Sequence, residues 1–278
     1  MSKKVVGMAI ALCLVAAFNT HALAQSTAQS TLEKIKREGV IKVCTPQVVP
    51  DLYKDAKTGQ WSGVMADLLN TMAEWMKVKW QPVEVGGFDA ALLTLKQGNC
   101  DLIGSSMVYN APRAMEVNFI RPFGAKGINA VVLKTNPKGL KTPLDLNSAD
   151  VTIVTSLGSR EHETATRLFP KAKLMAVKVP AAIQILEHVK RGDATVAVLP
   201  TITVKWWLQV PENAAWGIMA FPDQDFGYAP NGWAIRYGDS DWKDFLDNYS
   251  GYIAANNIAA KLYEEYLERS NPFTKPKN

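Results

Sequence analysis

One arginine stands where an α/β chain tends to keep its chemistry. The stretch 98–123 reads GNCDLIGSSMVYNAPRAMEVNFIRPF. A short apolar strand, Asp101 to Gly104, runs into the small-residue loop Ser105-Ser106, and Arg113 follows. Open α/β sheets bind ligands beyond the carboxyl ends of their strands. A guanidinium held there offers a planar fork of donors that matches a carboxylate. The competing expectation is an ordinary surface arginine in the turn after Pro112. Other chemistry is thinly represented. There is no Ser–His–Asp constellation, no HExxH motif and no cysteine–histidine metal spacing. Neither a metal nor another cofactor is therefore expected. His162 and His188 fall in predicted helices as surface residues, which leaves Glu161, near a helix start, as the one acid to consider for proton transfer.

The elements that must position Arg113 alternate between strand and helix. Gly39 to Thr45 reads as a strand. Gly63 to Lys77 sets Val64, Leu68, Met72 and Met76 at helical spacing. A strand over Lys79–Val85, a helix over Phe88–Lys96 closed by Gly98, and the strand at Asp101 complete a βαβαβ unit. After the extended run Gly124–Leu133 a second unit begins. It has strands at Val151–Thr155, Lys173–Val177 and Ala194–Leu199, and helices at Glu161–Phe169, Ala181–Lys190 and Ile202–Val210. Further extended stretches, Trp216–Phe221 and Gly232–Tyr237, precede two helices from Asp241 to Arg269. Two α/β units joined by two extended segments predict two lobes around a cleft that closes by hinge motion.

The N-terminus reads as an export leader. Lys3 and Lys4 precede the apolar run Val5–Phe18, and Ala22-Leu23-Ala24 is a small-x-small cleavage site. An uncleaved anchor is the alternative. Loss of residues 1–24 lowers the net charge from +5 to +3, because Lys3 and Lys4 leave and no acid does. A balance that mild, with both signs interspersed, does not suggest nucleic acid or an anionic membrane as partner. The 47% hydrophobic content supplies real cores. Residues 25–31 and 271–278 are expected to be loose ends.

Cys44 and Cys100 remain after cleavage. An exported chain with an even count favours a disulfide, but the expected geometry opposes it. If Cys100 begins a strand lying parallel beside the one that Cys44 ends, strand rise separates them by roughly 13 Å. A disulfide needs Cα atoms within about 7 Å. Two buried free thiols are the expectation.

Read together, several segments resemble the family 3 solute-binding proteins, the periplasmic receptors of ABC importers for polar amino acids and related molecules. They are LEKIKREGVIKVCT (32–45), GQWSGVMADLL (59–69), FDAALLTLKQGNCDLI (88–103), the segment from Met107 to Arg113 with NFIRPF after it, the pair Gly158-Ser159, RGDA (191–194) and GWAIRYGD (232–239). The resemblance spans nearly all of residues 31–268. It implies a type II periplasmic binding fold: lobe one at 32–124 plus 228–278, lobe two at 129–223, and hinge crossings at 125–128 and 224–227. It also implies a periplasmic monomer that hands its solute to an inner-membrane ABC permease. Arg113 matches the family's carboxylate anchor. Gly158, Ser159 and Arg160 match the helix N-terminus that receives the same anion. Phe88 matches a residue lying against the ligand, although a core aromatic is an equal expectation for it. Ser106 and its neighbour Met107 match the loop lining the site.

Two departures bear on the ligand. Where members that bind α-amino acids hold the ammonium with a hydroxyl and an aspartate, this chain has Val108 and Val198, and residues 194–210 contain no carboxylate. A buried ammonium without a partner costs several kcal/mol. Arg160 stands in place of a second hydroxyl. Two arginines and no ammonium site suggest a small mono- or dicarboxylate lacking an α-amino group. The alternative is an amino acid whose ammonium is held by Asp51, Asp225 or backbone carbonyls. Two other functions stay open: a dehydratase on the same fold acting on prephenate-like acids, and an accessory protein docking through an exposed Trp206-Trp207 patch.

Overall fold

The structure, a computed structural model, describes residues 30–55, 58–179 and 182–268. The expected leader and its cleavage site at Ala24 lie outside the described residues. Lobe one opens with α1 (Thr31–Glu38), β1 (Val40–Pro46), the small hairpin β2 (Tyr53–Lys54) and β3 (Trp61–Ser62), and α2 (Val64–Met76). It continues through β4 (Lys79–Val85), α3 (Phe88–Lys96), β5 (Leu102–Val108), the single turn α4 (Ala111–Ala114) and β6 (Asn118–Phe119). The long strand β7 (Gly124–Leu133) crosses to lobe two, which holds β8 (Thr152–Ser156), α5 (Arg160–Leu168), β9 (Lys173–Val177), α6 (Leu186–Arg191), β10 (Val196–Pro200), α7 (Thr201–Trp207), α8 (Pro211–Ala214) and β11 (Gly217–Met219). A second long strand, β12 (Phe226–Ile235), returns to lobe one, where α9 (Ser240–Ala255) and α10 (Ile258–Glu268) end the described chain.

One sheet runs through the molecule in the order β4-β1-β5-β12-β7-β10-β8-β9. Within lobe one, β1 is parallel to both β4 and β5; within lobe two, β8 is parallel to both β9 and β10. The crossing strands β7 and β12 pair antiparallel with each other and join the two parallel units. Side chains alternate across each unit as strand geometry requires. Val43 faces a core with Leu68, Leu69, Trp233 and Trp242, while Cys44 faces Leu92, Leu95 and Ile103 on the other side. In lobe two, Val196 and Val198 pack with Ile153 and Phe169, whereas Ala197 and Leu199 pack with Val154, Leu186 and Trp207. Helices therefore cover both faces of each unit, as the strand–helix alternation predicts.

Two expectations are corrected here. Cys44 and Cys100 form a disulfide, with Cα atoms 5.6 Å apart. The strand expected at Asp101 begins instead at Leu102, and the chain bends at Asp101, whose carboxylate accepts from the Lys42 N–H at 2.9 Å. Cys100 thus lies in the turn after α3, against the face of β1 that carries Cys44, rather than in line with β5. Trp206 and Trp207 are not an exposed patch: both are buried, and Trp207 meets Trp216 edge to face at 5.1 Å.

The disulfide closes a separation of 56 residues, which chain entropy values at about 4 kcal/mol. Replacing both cysteines by alanine is expected to lower stability by about that amount in urea titration. Gly227 has φ +59°, and a Cβ there would stand 2.8 Å from Thr164 Cγ2 and 2.9 Å from Ile128 Cδ1. Gly227→Ala is expected to cost about 1–3 kcal/mol in the same measurement.

Candidate functional site

Arg113 is fixed at several points by its own local chain. Asn110 caps the turn α4, its Oδ1 accepting the Arg113 N–H at 3.0 Å. Arg113 Nη1 donates to the Val108 carbonyl at 3.2 Å, and the guanidinium lies 5.0 Å above the Phe88 ring. Phe88 is the first residue of α3, so the ring supporting the cation comes from the element beside it. Burial pulls the Arg113 pKa down, and the nearby carboxylates of Glu161, Asp89 and Glu163 oppose that shift. An arginine stays charged through such a shift. Among the described residues it forms no ion pair within 4.0 Å, so most of its fork remains available.

Opposite Arg113 stands the tip of α5. Gly158, with φ +72°, turns the chain out of β8, and Ser159 caps the helix by accepting the His162 N–H at 3.1 Å. The Gly158 N–H donates to His162 Nδ1 at 3.2 Å, which assigns the ring proton to Nε2. Between the lobes lies a cavity of about 570 Å³. Asp89, Asn110, Arg113 and Glu116 line it from lobe one, and Gly158, Ser159, His162 and Glu163 from lobe two. The cleft is spanned by hydrogen bonds from Asn110 Nδ2 to Glu163 Oε2 at 3.5 Å and from Thr203 Oγ1 to the Val49 carbonyl at 3.2 Å. A guanidinium, a helix tip with its partial positive charge and a dispersed set of carboxylates can together receive a small molecule carrying a carboxylate.

The structure brings Arg113, Gly158 and Ser159 to this cavity, whereas Phe88 packs against the lobe-one core beneath the Arg113 guanidinium and Val108 meets Arg113 only through its carbonyl. The remaining candidates lie elsewhere. Ser106 is buried and its Oγ accepts from Asn231 Nδ2 at 2.7 Å. Met107 is fully buried in the lobe-one core, and Val198 in the lobe-two core. Arg160 is not an arm of the cavity. It is 7% exposed and donates to backbone carbonyls of both crossing strands. The acids considered for an ammonium are also committed. Asp51 takes Lys126 Nζ at 2.7 and 2.6 Å together with the Tyr263 hydroxyl, and Asp225 accepts from Asn129 Nδ2 at 2.9 Å. Burial lowers the pKa of Lys126 against the opposing pull of Asp51, and burial, then Asp51, raises that of Tyr263 well above the usual tyrosine value.

Asp89, Asn110, His162 and Glu163 were not singled out as lining residues. Helix phase relative to Phe88 and Ser159 is the signal for Asp89, His162 and Glu163, and Asn110 is the cap three residues before Arg113. Two further cavities flank the cleft: one of about 350 Å³ beside Lys126 and Tyr263, and an apolar one of about 530 Å³ beside Trp206 and Trp207. Among the described residues no cluster of His, Cys, Asp or Glu is arranged to hold a metal ion, and no helix is long and apolar enough to cross a membrane.

Comparison with known proteins agrees with this architecture. The ancestral amino acid-binding protein AncCDT-1, described as a precursor of cyclohexadienyl dehydratase, superposes with a TM-score of 0.73 at 26% identity, covering 86% of this chain and 100% of that one. A putative ABC-transporter binding component from Wolinella succinogenes, complexed with lysine, gives 0.74 at 28% identity over 84% of this chain and 97% of its own. Cyclohexadienyl dehydratase of Pseudomonas aeruginosa is 20% identical over 86% of this chain and 87% of its own. Membrane-bound lytic murein transglycosylase F of Aeromonas hydrophila is 23% identical over 87% of this chain, which spans only 47% of that protein. The model of the bacterial extracellular solute-binding proteins, family 3, matches residues 41–269, and the chain belongs to that family.

Proposed function

We propose that this chain is a solute receptor of an ABC importer. Its lobes, at 32–124 plus 228–278 and at 129–223, would close on a small carboxylate-bearing solute about hinge crossings at 125–128 and 224–227. The observation that carries this is Arg113: a partly desolvated guanidinium, supported by Phe88 and facing the Ser159 tip across a cavity of ligand size. Entering through the open form, the carboxylate docks on Arg113 first. Closure then brings the α5 tip onto the same anion, and the closed form is what a permease recognises. Solute shifts the open–closed balance only through contacts that improve on closing.

The position of Arg160 changes the choice of solute. With that side chain committed to the hinge, a dicarboxylate has lost the second anchor that Arg160 was expected to give, and the other guanidinium lining the cavity, that of Arg167, belongs to an exposed residue. Asp89 and Glu163 line the same cavity, and a zwitterion places its ammonium near them without needing a carboxylate at Val198. An amino acid is therefore favoured over an acid lacking the amino group, in keeping with the lysine-bound relative. The export leader and a periplasmic location complete the proposal. The dehydratase alternative rests on the distant relative and on Glu161 and Glu163 near the cavity; phenylpyruvate formed from prephenate by purified protein would establish it.

Arg113→Ala is expected to keep the fold and lose at least roughly 30-fold in affinity, read by native mass spectrometry as loss of a copurified small acid. Retention of that acid by the variant would refute the proposal. Phe88→Ala removes only the ring beneath the cation, worth about 1 kcal/mol. Calorimetry is expected to show a loss of about fivefold.

A further inference from the structure

The crossing strands do not form an even ladder. β12 pairs with β7 at Phe226↔Ile128 and again at Ala229↔Lys126, with a register shift between. Gly227 and Tyr228 therefore stand opposite the single residue Gly127. A bulge of this kind releases backbone groups from the ladder and bends the strand, and released groups that are buried require other partners.

Arg160 is that partner. Its Nη1 donates to the Lys126 carbonyl at 2.7 Å and to the Gly227 carbonyl at 3.2 Å, and its Nη2 reaches the Gly127 carbonyl at 3.4 Å. Glu161 Oε1 takes Nε and Nη2 at 3.3 and 3.1 Å, which holds the fork in orientation. Arg160 is the first residue of α5, directly after Ser159, so one side chain links the cavity's helix tip to both crossings. Lys126 is gripped from the other side as well. While lobe two holds its carbonyl, its ammonium lies 2.6 Å from Asp51 of lobe one, and the Tyr263 hydroxyl donates to that same carboxylate.

We infer that Arg160 is a positioning residue for lobe closure: by pinning the α5 tip to the hinge bulge, and through Lys126 to Asp51, it makes the closed interlobe angle the populated one before solute arrives. The inference rests on the hinge closure proposed above but not on the identity of the solute or on Arg113.

The test is a distance distribution between spin labels at the exposed positions Gln97 and Lys171, each replaced by cysteine, in protein stripped of solute by unfolding and refolding without reductant. The otherwise unaltered chain is expected to give chiefly the shorter distance of lobes bridged by the Asn110–Glu163 and Thr203–Val49 bonds. Arg160→Ala is expected to raise the open-to-closed ratio about tenfold at unchanged circular dichroism, and Arg160→Lys, which keeps the charge but not the fork, to fall between. If Arg160→Ala does not fold, Arg160→Lys carries the test. A chiefly long distance in the unaltered solute-free chain overturns the inference, as does a distribution unmoved by either substitution. Arg113→Ala retaining its solute would count against solute capture and leave these distances unaffected, so the two failures are separable.

Discussion

Everything in this molecule hangs on the ladder between two ten-residue strands, β7 and β12. They carry the chain out of lobe one and back, and their mutual pairing turns two parallel units into one continuous sheet. A uniform ladder would be stiff. The register shift at Gly127 and Gly227 supplies a place to bend, and it leaves carbonyl groups for Arg160 to serve. A guanidinium suits that need because it is planar, permanently charged and able to serve several acceptors at once. The buried position of Arg160 thus follows from a backbone irregularity rather than from any ligand.

The same logic separates the two arginines that flank the cleft. Both are drawn partly out of water, but their donors are spent differently. Arg160 gives its fork to carbonyls and to Glu161, whereas Arg113 gives a single bond to the Val108 carbonyl and rests on a ring. Desolvating a cation without satisfying it is costly, and Arg113 is left with unspent donors at the cavity while those of Arg160 are already served. The carboxylates around Arg113 soften that cost without touching it. They leave the cavity mixed in charge.

Much of the architecture was legible in the chain because it depends on local patterns. The strands at Lys79–Val85, Gly124–Leu133 and Lys173–Val177 and the helix at Phe88–Lys96 have the predicted bounds. Period-two and period-3.6 patterns need only neighbouring residues to declare themselves. Features set by a bend or by contact between distant segments were hidden. Pairing of Cys44 with Cys100 depends on the turn at Asp101, which moves Cys100 off the line of β5. The helix expected over Ala181–Lys190 is split into a 3-10 turn at Ala182–Ile185 and a helix starting at Leu186, and the hairpin at Tyr53–Lys54 and Trp61–Ser62 is too short to show a period. Trp206 and Trp207 looked like a candidate surface patch because adjacent residues on a helix cannot both face one core. Here α7 lies between lobe two and the loop at Val49, so both sides are covered.

The site divides along the same line. Arg113 and Ser159 were expected at the cavity because the first follows a recognisable strand and the second opens a recognisable helix, and both line it. Arg160 follows Ser159 directly and was grouped with it for that reason. Yet successive residues at a helix start point about 100° apart. One residue past the cap therefore turns a side chain from the cavity toward the sheet beneath, where the bulge lies. The step from Ser159 to Arg160 is thus the step from the cavity wall to the bulge, so one helix start touches both the cavity and the crossing strands.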